Sequence, residues 1–348
     1  MMNIIERPPG VDPITSPRPS TRREDLRTVL TASWLIIGLF LDGYAHQHFV
    51  TGRETFLTPW HAVFYAGFAA TATSIALIVY RRPGRRLRDR IPAGYGSALL
   101  GLVGFAFGGI SDGIWHSIFG VEVGIDALLS PTHLILMASL LAIVTAPYFA
   151  AVASTAAEAR RGIALVSLGI GTALVAFFLN FVWGLGDSGF KVAYDHATGA
   201  GERDVIAGVA SALVATFVLT IAARHAVRLG RPALGTFVML FGLVSLAVHV
   251  AFEEEWIGVL SAVVAGLLLD AGFALRRPRA QPRVVFAVAI AAMWLTYFSL
   301  AIVTETVAWP AEIWIGTALL CALIAALLAP HAIRGVAVES RSGDNVHY

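Results

Sequence analysis

Residues 93–153 read AGYGSALLGLVGFAFGGISDGIWHSIFGVEVGIDALLSPTHLILMASLLAIVTAPYFAAVA. Two apolar runs, 93–116 and 131–153, flank a short link that carries acids. At 1.5 Å per residue each run is long enough to cross a hydrocarbon core of about 30 Å. With no water there, the backbone must bond within its own segment, so each run is expected to be a helix. Neither run shows the alternation of a barrel strand. The stretch therefore reads as a helical hairpin that crosses a membrane twice.

The same signal extends outward in both directions. Ten such runs are expected as spans: 28–46, 59–80, 93–116, 131–153, 162–184, 204–224, 233–252, 256–275, 284–305 and 310–330. Composition agrees, with 57% hydrophobic and 14% charged residues and a mean hydropathy of +0.73. A soluble domain carries roughly 25% charged residues, so a soluble enzyme and a disordered regulator are excluded. The expected fold is an all-α polytopic bundle over residues 28–330, with the bilayer as its obligatory partner. Residues 1–27 hold five prolines and several arginines and read as a disordered tail, not a signal peptide; residues 331–348 read as a second tail. A net charge of +2 and the lack of a basic, aromatic-interleaved patch give no reason to expect nucleic acid. The one cysteine, Cys321, excludes an internal disulfide and a cysteine metal cluster.

Orientation follows from the basic residues. Of the 25, only Arg53, Lys191 and Arg203 fall on one side; the rest lie in the tails and in the links at 81–90, 158–162, 224–232 and 276–283. The positive-inside rule then places both termini in the cytoplasm, in a multi-pass protein of the cell membrane. Trp60, Trp115, Trp183, Trp256, Trp309 and Trp314 sit near the outer ends of spans, where an interfacial belt is expected. Seven of the ten histidines gather at that outer face.

Two outer hairpins share one pattern. Residues 41–65 read LDGYAHQHFVTGRETFLTPWHAVFY, and residues 111–137 read SDGIWHSIFGVEVGIDALLSPTHLILM. Each has Asp-Gly-x-x-His closing one span and Ser/Thr-Pro-x-His opening the next. Asp112 and His116 follow Asp42 and His46 at one offset, and His133 follows His61 at an offset two residues longer. This is a tandem duplication of a hairpin. Asp and His four residues apart share a helical face. Thr58 and Ser130 are N-cap types, and Pro59 and Pro131 suit the first helical position. His61 and His133 then fall one turn inside the next helix. Gly43 and Gly113 are expected to admit a neighbouring helix. Each hairpin can thus gather one carboxylate and two imidazoles, a three-ligand metal set with an open position.

The second hairpin resembles the metal motif in the C subunit of the copper membrane monooxygenases, the particulate methane and ammonia monooxygenases. That motif has Asp-x-x-Trp-His closing one helix and Thr-Pro-Ser-His opening the next. The matching residues are Asp112, Trp115, His116, Ser130, Pro131 and His133. The first hairpin, with Asp42, His46, Thr58, Pro59 and His61, resembles a second copy without the Trp. The resemblance implies that Asp112, His116 and His133 ligate copper. It also implies an oxidoreductase acting with O2 on a small apolar substrate, with further membrane or cupredoxin-like subunits as partners. From the donor types alone, zinc and iron fit as well as copper. A non-catalytic metal-handling protein or transporter is the alternative.

Further candidates lie at the same face. His249 and Glu253 form a third carboxylate–histidine pair or part of an acidic loop. Glu305 and Glu312 flank Trp309-Pro310 and echo the hairpin with glutamates. Asn180 and Asp187 end the fifth span, as groups supporting a ligand or as helix caps. His48 and Gln47 stand where either can hydrogen-bond a ligand imidazole. His196 and Asp195 read as a solvated loop. Asp270 is expected to pair with Arg276 or Arg277. No nucleotide loop, Gly-x-Ser-x-Gly elbow, HExxH motif or set of desaturase histidine boxes is present.

Overall fold

A computed structural model describes residues 18–49, 58–120, 122, 124–155, 157–186, 189–253, 255–275 and 281–330. Thirteen α-helices and no strand occur among them: α1 (Arg22–His48), α2 (Pro59–Tyr80), α3 (Leu87–Arg90), α4 (Gly96–Phe119), α5 (Ile125–Leu129), α6 (Pro131–Val144), α7 (Ala146–Val152), α8 (Arg161–Phe178), α9 (Glu202–Val227), α10 (Thr236–Phe252), α11 (Trp256–Ala274), α12 (Pro282–Val303) and α13 (Ala311–Leu328). The chain is an all-α polytopic membrane bundle. Eight helical segments are long and apolar enough to cross a bilayer, and α6 with α7 makes a ninth if the bent pair is one span. The run expected at 233–252 forms α10, which at 17 residues is shorter than a full crossing.

The first helix starts earlier than the expected boundary at residue 28. Thr21 caps α1, its hydroxyl accepting the Glu24 N–H while Glu24 Oε2 accepts the Thr21 N–H. Buried Asp25 then meets Arg160 Nη1 at 3.2 Å and accepts the Tyr95 hydroxyl at 3.0 Å. Arg82 binds Glu24 at 2.7 Å and the carbonyls of Arg18 and Pro19. Residues 18–27 are therefore anchored structure rather than tail, because two distant arginines reach them. Residues 1–17 and 331–348 lie outside the described residues.

The expected fourth span bends by 42° between α6 and α7. Pro147 is the cause: it offers no N–H and its ring crowds the carbonyl four residues back. Ser167 of α8 repairs the break. Its hydroxyl accepts the Tyr148 N–H at 3.2 Å and donates to the Val144 carbonyl at 2.7 Å, standing between two groups that a straight helix would pair directly.

Helix α8 is central. One apolar core joins Leu174, Phe177 and Phe178 of α8 to α1, α2, α4, α6 and α7. The other joins Leu168, Ala173 and Ala176 to α9–α13. In the first hairpin Gly67 lets α2 touch α1: a Cβ there would lie 2.6 Å from Leu35 Cα. Gly38 of α1 faces it, where a Cβ would lie 2.8 Å from Phe64 Cα; in the second hairpin its repeat counterpart Gly108 of α4 stands against Leu136 at 3.0 Å, and Gly101 of α4 against the Ser139 carbonyl at 2.6 Å. Glycines on the first helix of each hairpin keep both crossings tight.

Asp270 is buried, and its carboxylate accepts the Phe237 N–H at 3.1 Å and the Val238 N–H at 3.2 Å, capping α10; Arg276 and Arg277, its expected partners, lie outside the described residues. One expectation about tryptophans is corrected. Trp183 and Trp309 pack inside the core rather than in a belt.

Candidate metal centre

Local chain chemistry builds each triad. Thr58 and Ser130 have extended backbones, and their hydroxyls accept the N–H of His61 at 3.1 Å and of His133 at 3.4 Å. Pro59 and Pro131 open the helices that follow. The same hydroxyls contact Nδ1 of those histidines, at 3.0 Å for His61 and 2.8 Å for His133. In the tautomer protonated at Nδ1, each ring donates to its own cap and turns the Nε2 lone pair toward the aspartate.

The aspartates wait one helix away. His61 Nε2 is 3.3 Å and His46 Nε2 3.6 Å from Asp42 Oδ2. His116 Nε2 is 3.3 Å from Asp112 Oδ2, and His133 Nε2 is 3.5 Å from Asp112 Oδ1. In each triad one ligand atom per residue lies within 4.8 Å of the others. These separations exceed the roughly 2.9 Å of an N–H···O hydrogen bond. They suit two donors about 2.1 Å from one tetrahedral ion, which stand about 3.4 Å apart. Both aspartates are buried, and the four rings are half-buried.

The triads are neighbours. Phe64 and Phe68 of α2 pack on Phe105 of α4, the latter pair stacked at 4.0 Å. His61 lies within electrostatic reach of Asp112, His116 and His133. Tyr65, stacked on His61 at 5.9 Å, lies within reach of both Asp42 and Asp112. No sequence signal pointed to Tyr65, although it occupies the turn after the repeat's second histidine.

The two sets differ in their bracing. Thr132 donates to Asp112 Oδ1 at 2.7 Å; the corresponding residue of the first hairpin is Trp60. Glu122 Oε2 stands 3.5 Å from His133 Nδ1, while Glu122 Oε1 accepts the Trp115 indole N–H at 2.7 Å. Where Trp115 stands, the first hairpin has Ala45. Sequence reading passed over Thr132 and Glu122. The Trp115 of the motif was visible, but not that its N–H fixes a carboxylate on a loop.

Other expected site residues go elsewhere. His48 does not support a ligand imidazole: its Nδ1 meets the Tyr44 carbonyl at 2.8 Å, and its Nε2 pairs with Glu253 at 2.8 Å. Glu253 thus joins α10 to α1 and does not form a pair with His249, whose ring lies on Trp256 at 3.8 Å. Glu312 meets His196 at 3.0 Å, both exposed, and Glu305 sits exposed in a left-handed turn. Asn180 opens a 3₁₀ turn and its carbonyl accepts the Trp183 N–H; Asp187 lies outside the described residues. Asp195 closes its own loop through Thr198 and Ala197, bonds that hold its carboxyl below the ordinary range. Gly43 does admit α8, since a Cβ there would strike the Phe177 ring, whereas Gly113 faces open space.

Comparison with family models, curated proteins and solved structures finds no match to this chain.

Proposed function

We propose that this chain is an integral membrane metalloprotein that holds copper in two neighbouring Asp/His/His sites. Asp42, His46 and His61 hold one ion; Asp112, His116 and His133 hold the other. One observation carries the reading: two separate hairpins each converge a carboxylate and two imidazoles at ligand spacing. The donor set also suits zinc and iron. Copper is chosen on the motif's resemblance to the membrane monooxygenases. With α6–α7 crossing as one bent span and the shorter α10 as another, the runs would span the cell membrane with both termini inside and both sites at the outer face.

Copper bound there would supply redox chemistry toward O2, and the proposed activity is oxidation of a small apolar, membrane-soluble substrate. The chain's own contribution is positioning. The aspartates offset the ion's charge, the cap hydroxyls aim Nε2, and the apolar bundle admits the substrate. Electrons would come from a partner, either a further membrane subunit or a cupredoxin-like one.

Metal analysis and EPR on purified, Cu(II)-loaded protein test this. About two ions per chain are expected, and about one in Asp112→Ala or Asp42→Ala, with a nitrogen-coordinated signal reduced in each. Less than a tenth of an equivalent in the wild type would sink the proposal. The transporter reading is less well supported, since carriers place ligands on broken helices near the mid-plane and these stand at helix ends. Metal uptake into vesicles that disappears in His116→Ala would favour it instead.

A further inference from the structure

A cavity of about 890 Å³ lies between α1, α8 and α10, on the side of α1 that is not part of either triad. Its walls include Ser33 and Tyr44 of α1, Gly162 and Gly169 of α8, and Gly235 and Val250 beside and within α10. Nearly all the lining is aliphatic or aromatic. Along α10 the lined stretch runs about 24 Å at 1.5 Å per residue, more than the roughly 15 Å depth of one leaflet. Its volume falls in the range of small-molecule pockets, about 300–1,000 Å³. The lined stretch is long and apolar, which matches a hydrocarbon chain.

The two ends differ in chemistry. At the triad end, Tyr44 stacks on His48 at 4.0 Å, and His48 pairs with Glu253 just beyond the last lining residues of α10. That ion pair bridges the rim. At the opposite end stands Arg161, next to the lining residue Gly162. Its Nη2 meets Glu158, whose side chain is largely exposed, and reaches over Gly230 of the link before α10. Its Nε is buried and has no hydrogen-bond partner among the described residues. Its guanidinium stays partly exposed, and there a phosphate oxygen can accept its Nη–H groups in a charge-assisted hydrogen bond. The first N–H groups of α10 are already taken by Asp270, so an anion here would be met by side chains, Arg161 foremost beside the cleft. Its neighbour Arg160 is committed to Asp25 and Ser20.

We infer that this cleft is a binding site for one anionic phospholipid. The phosphate sits on Arg161 at the arginine-rich end, and an acyl chain lies between α1, α8 and α10. The site is independent of the metal reading, since no triad residue lines it.

Native mass spectrometry tests it on the full chain released from nanodiscs of phosphatidylglycerol and excess phosphatidylcholine. The wild type should carry one phosphatidylglycerol. Arg161→Ala should lower that preference about tenfold or more, the worth of one charge-assisted contact. Gly169→Leu should expel lipid of either kind, because Gly169 faces the cleft with only Leu240 within 4 Å. Gly316→Leu, at a position with nothing within 4 Å, should behave as the wild type and controls for the added bulk. Arg161→Lys guards against misfolding and should keep much of the anionic preference. No retained lipid, phosphatidylcholine retained equally well, or full phosphatidylglycerol retention in both Arg161→Ala and Gly169→Leu would overturn the assignment.

Discussion

Glu122→Gln should weaken metal binding at the second triad and leave the first alone. The change keeps shape and an acceptor for the Trp115 N–H, which now lies 2.7 Å from Glu122 Oε1. What goes is the charge behind His133. Glu122 Oε2 is 3.5 Å from His133 Nδ1, on the far side of the ring from the Nε2 that faces Asp112. An ion on Nε2 would be roughly 7 Å from that carboxylate. At an effective dielectric of 20, a divalent ion and one charge at that distance interact by about 5 kcal/mol. Both side chains keep some solvent contact, which reduces this. Removing a carboxylate behind a ligand histidine typically costs 10–100-fold in affinity, about 1.4–2.8 kcal/mol. The assay is a chelator-competition titration in the Asp42→Ala background, where only the second triad remains. A 10–100-fold weaker Kd is expected, with the metal-free melting temperature little changed. A Kd within threefold of the parent would refute the reasoning and reduce Glu122 to a loop anchor.

Trp60→Thr places a hydroxyl where Thr132 serves Asp112, and should tighten the first triad several-fold in the same titration run on Asp112→Ala protein; no change would mean the hairpins are not in register at this position. Ser167→Ala strips the bent α6–α7 junction of both its repairs and should cost about 1–3 kcal/mol by thermal or denaturant unfolding, whereas an unchanged midpoint would mean that water takes the place of the hydroxyl. Gly67→Ala forces a methyl group 2.6 Å from Leu35 Cα and should destabilise by about 1–3 kcal/mol while loosening the first triad; Gly113→Ala, with nothing within 4 Å, should do neither.

The legible features were those written within a few residues. Thr58-Pro59-x-His61 and Ser130-Pro131-x-His133 encode their own caps, so cap, helix start and imidazole position followed from spacing alone. Asp42 with His46 and Asp112 with His116 share one helix, and the repeat linked the rest. Partners set by tertiary packing were not legible. Asp270 finds backbone N–H groups some thirty residues upstream, Asp25 finds Arg160, and His48 finds Glu253 on a helix the sequence does not mark as adjacent. Trp183 and Trp309 were misplaced because a tryptophan near a span end serves an interface or a core equally well, and only packing decides. The bend at Pro147 was readable in principle. A proline inside an apolar run breaks the ladder wherever it sits, but hydropathy alone passes over it.

The distribution of polar groups explains why the triads survive burial in so apolar a bundle. A lone buried carboxylate is expensive unless paired, and a cation held between each aspartate and its two imidazoles, brought by separate helices, would supply that pairing. Metal binding would then couple the hairpin crossing to the ligand set, each stabilising the other. That coupling also explains where the two copies differ. Their ligand positions match, and so do the close helix contacts beneath them. Among the described residues, the copies vary in groups one bond further out, Thr132 against Trp60 and the Trp115–Glu122 pair against Ala45. Changes there leave the donors in place and alter how firmly they are held and how much charge backs them. Two sites that share donors but differ in what backs them would bind with different affinities and so fill in sequence rather than together.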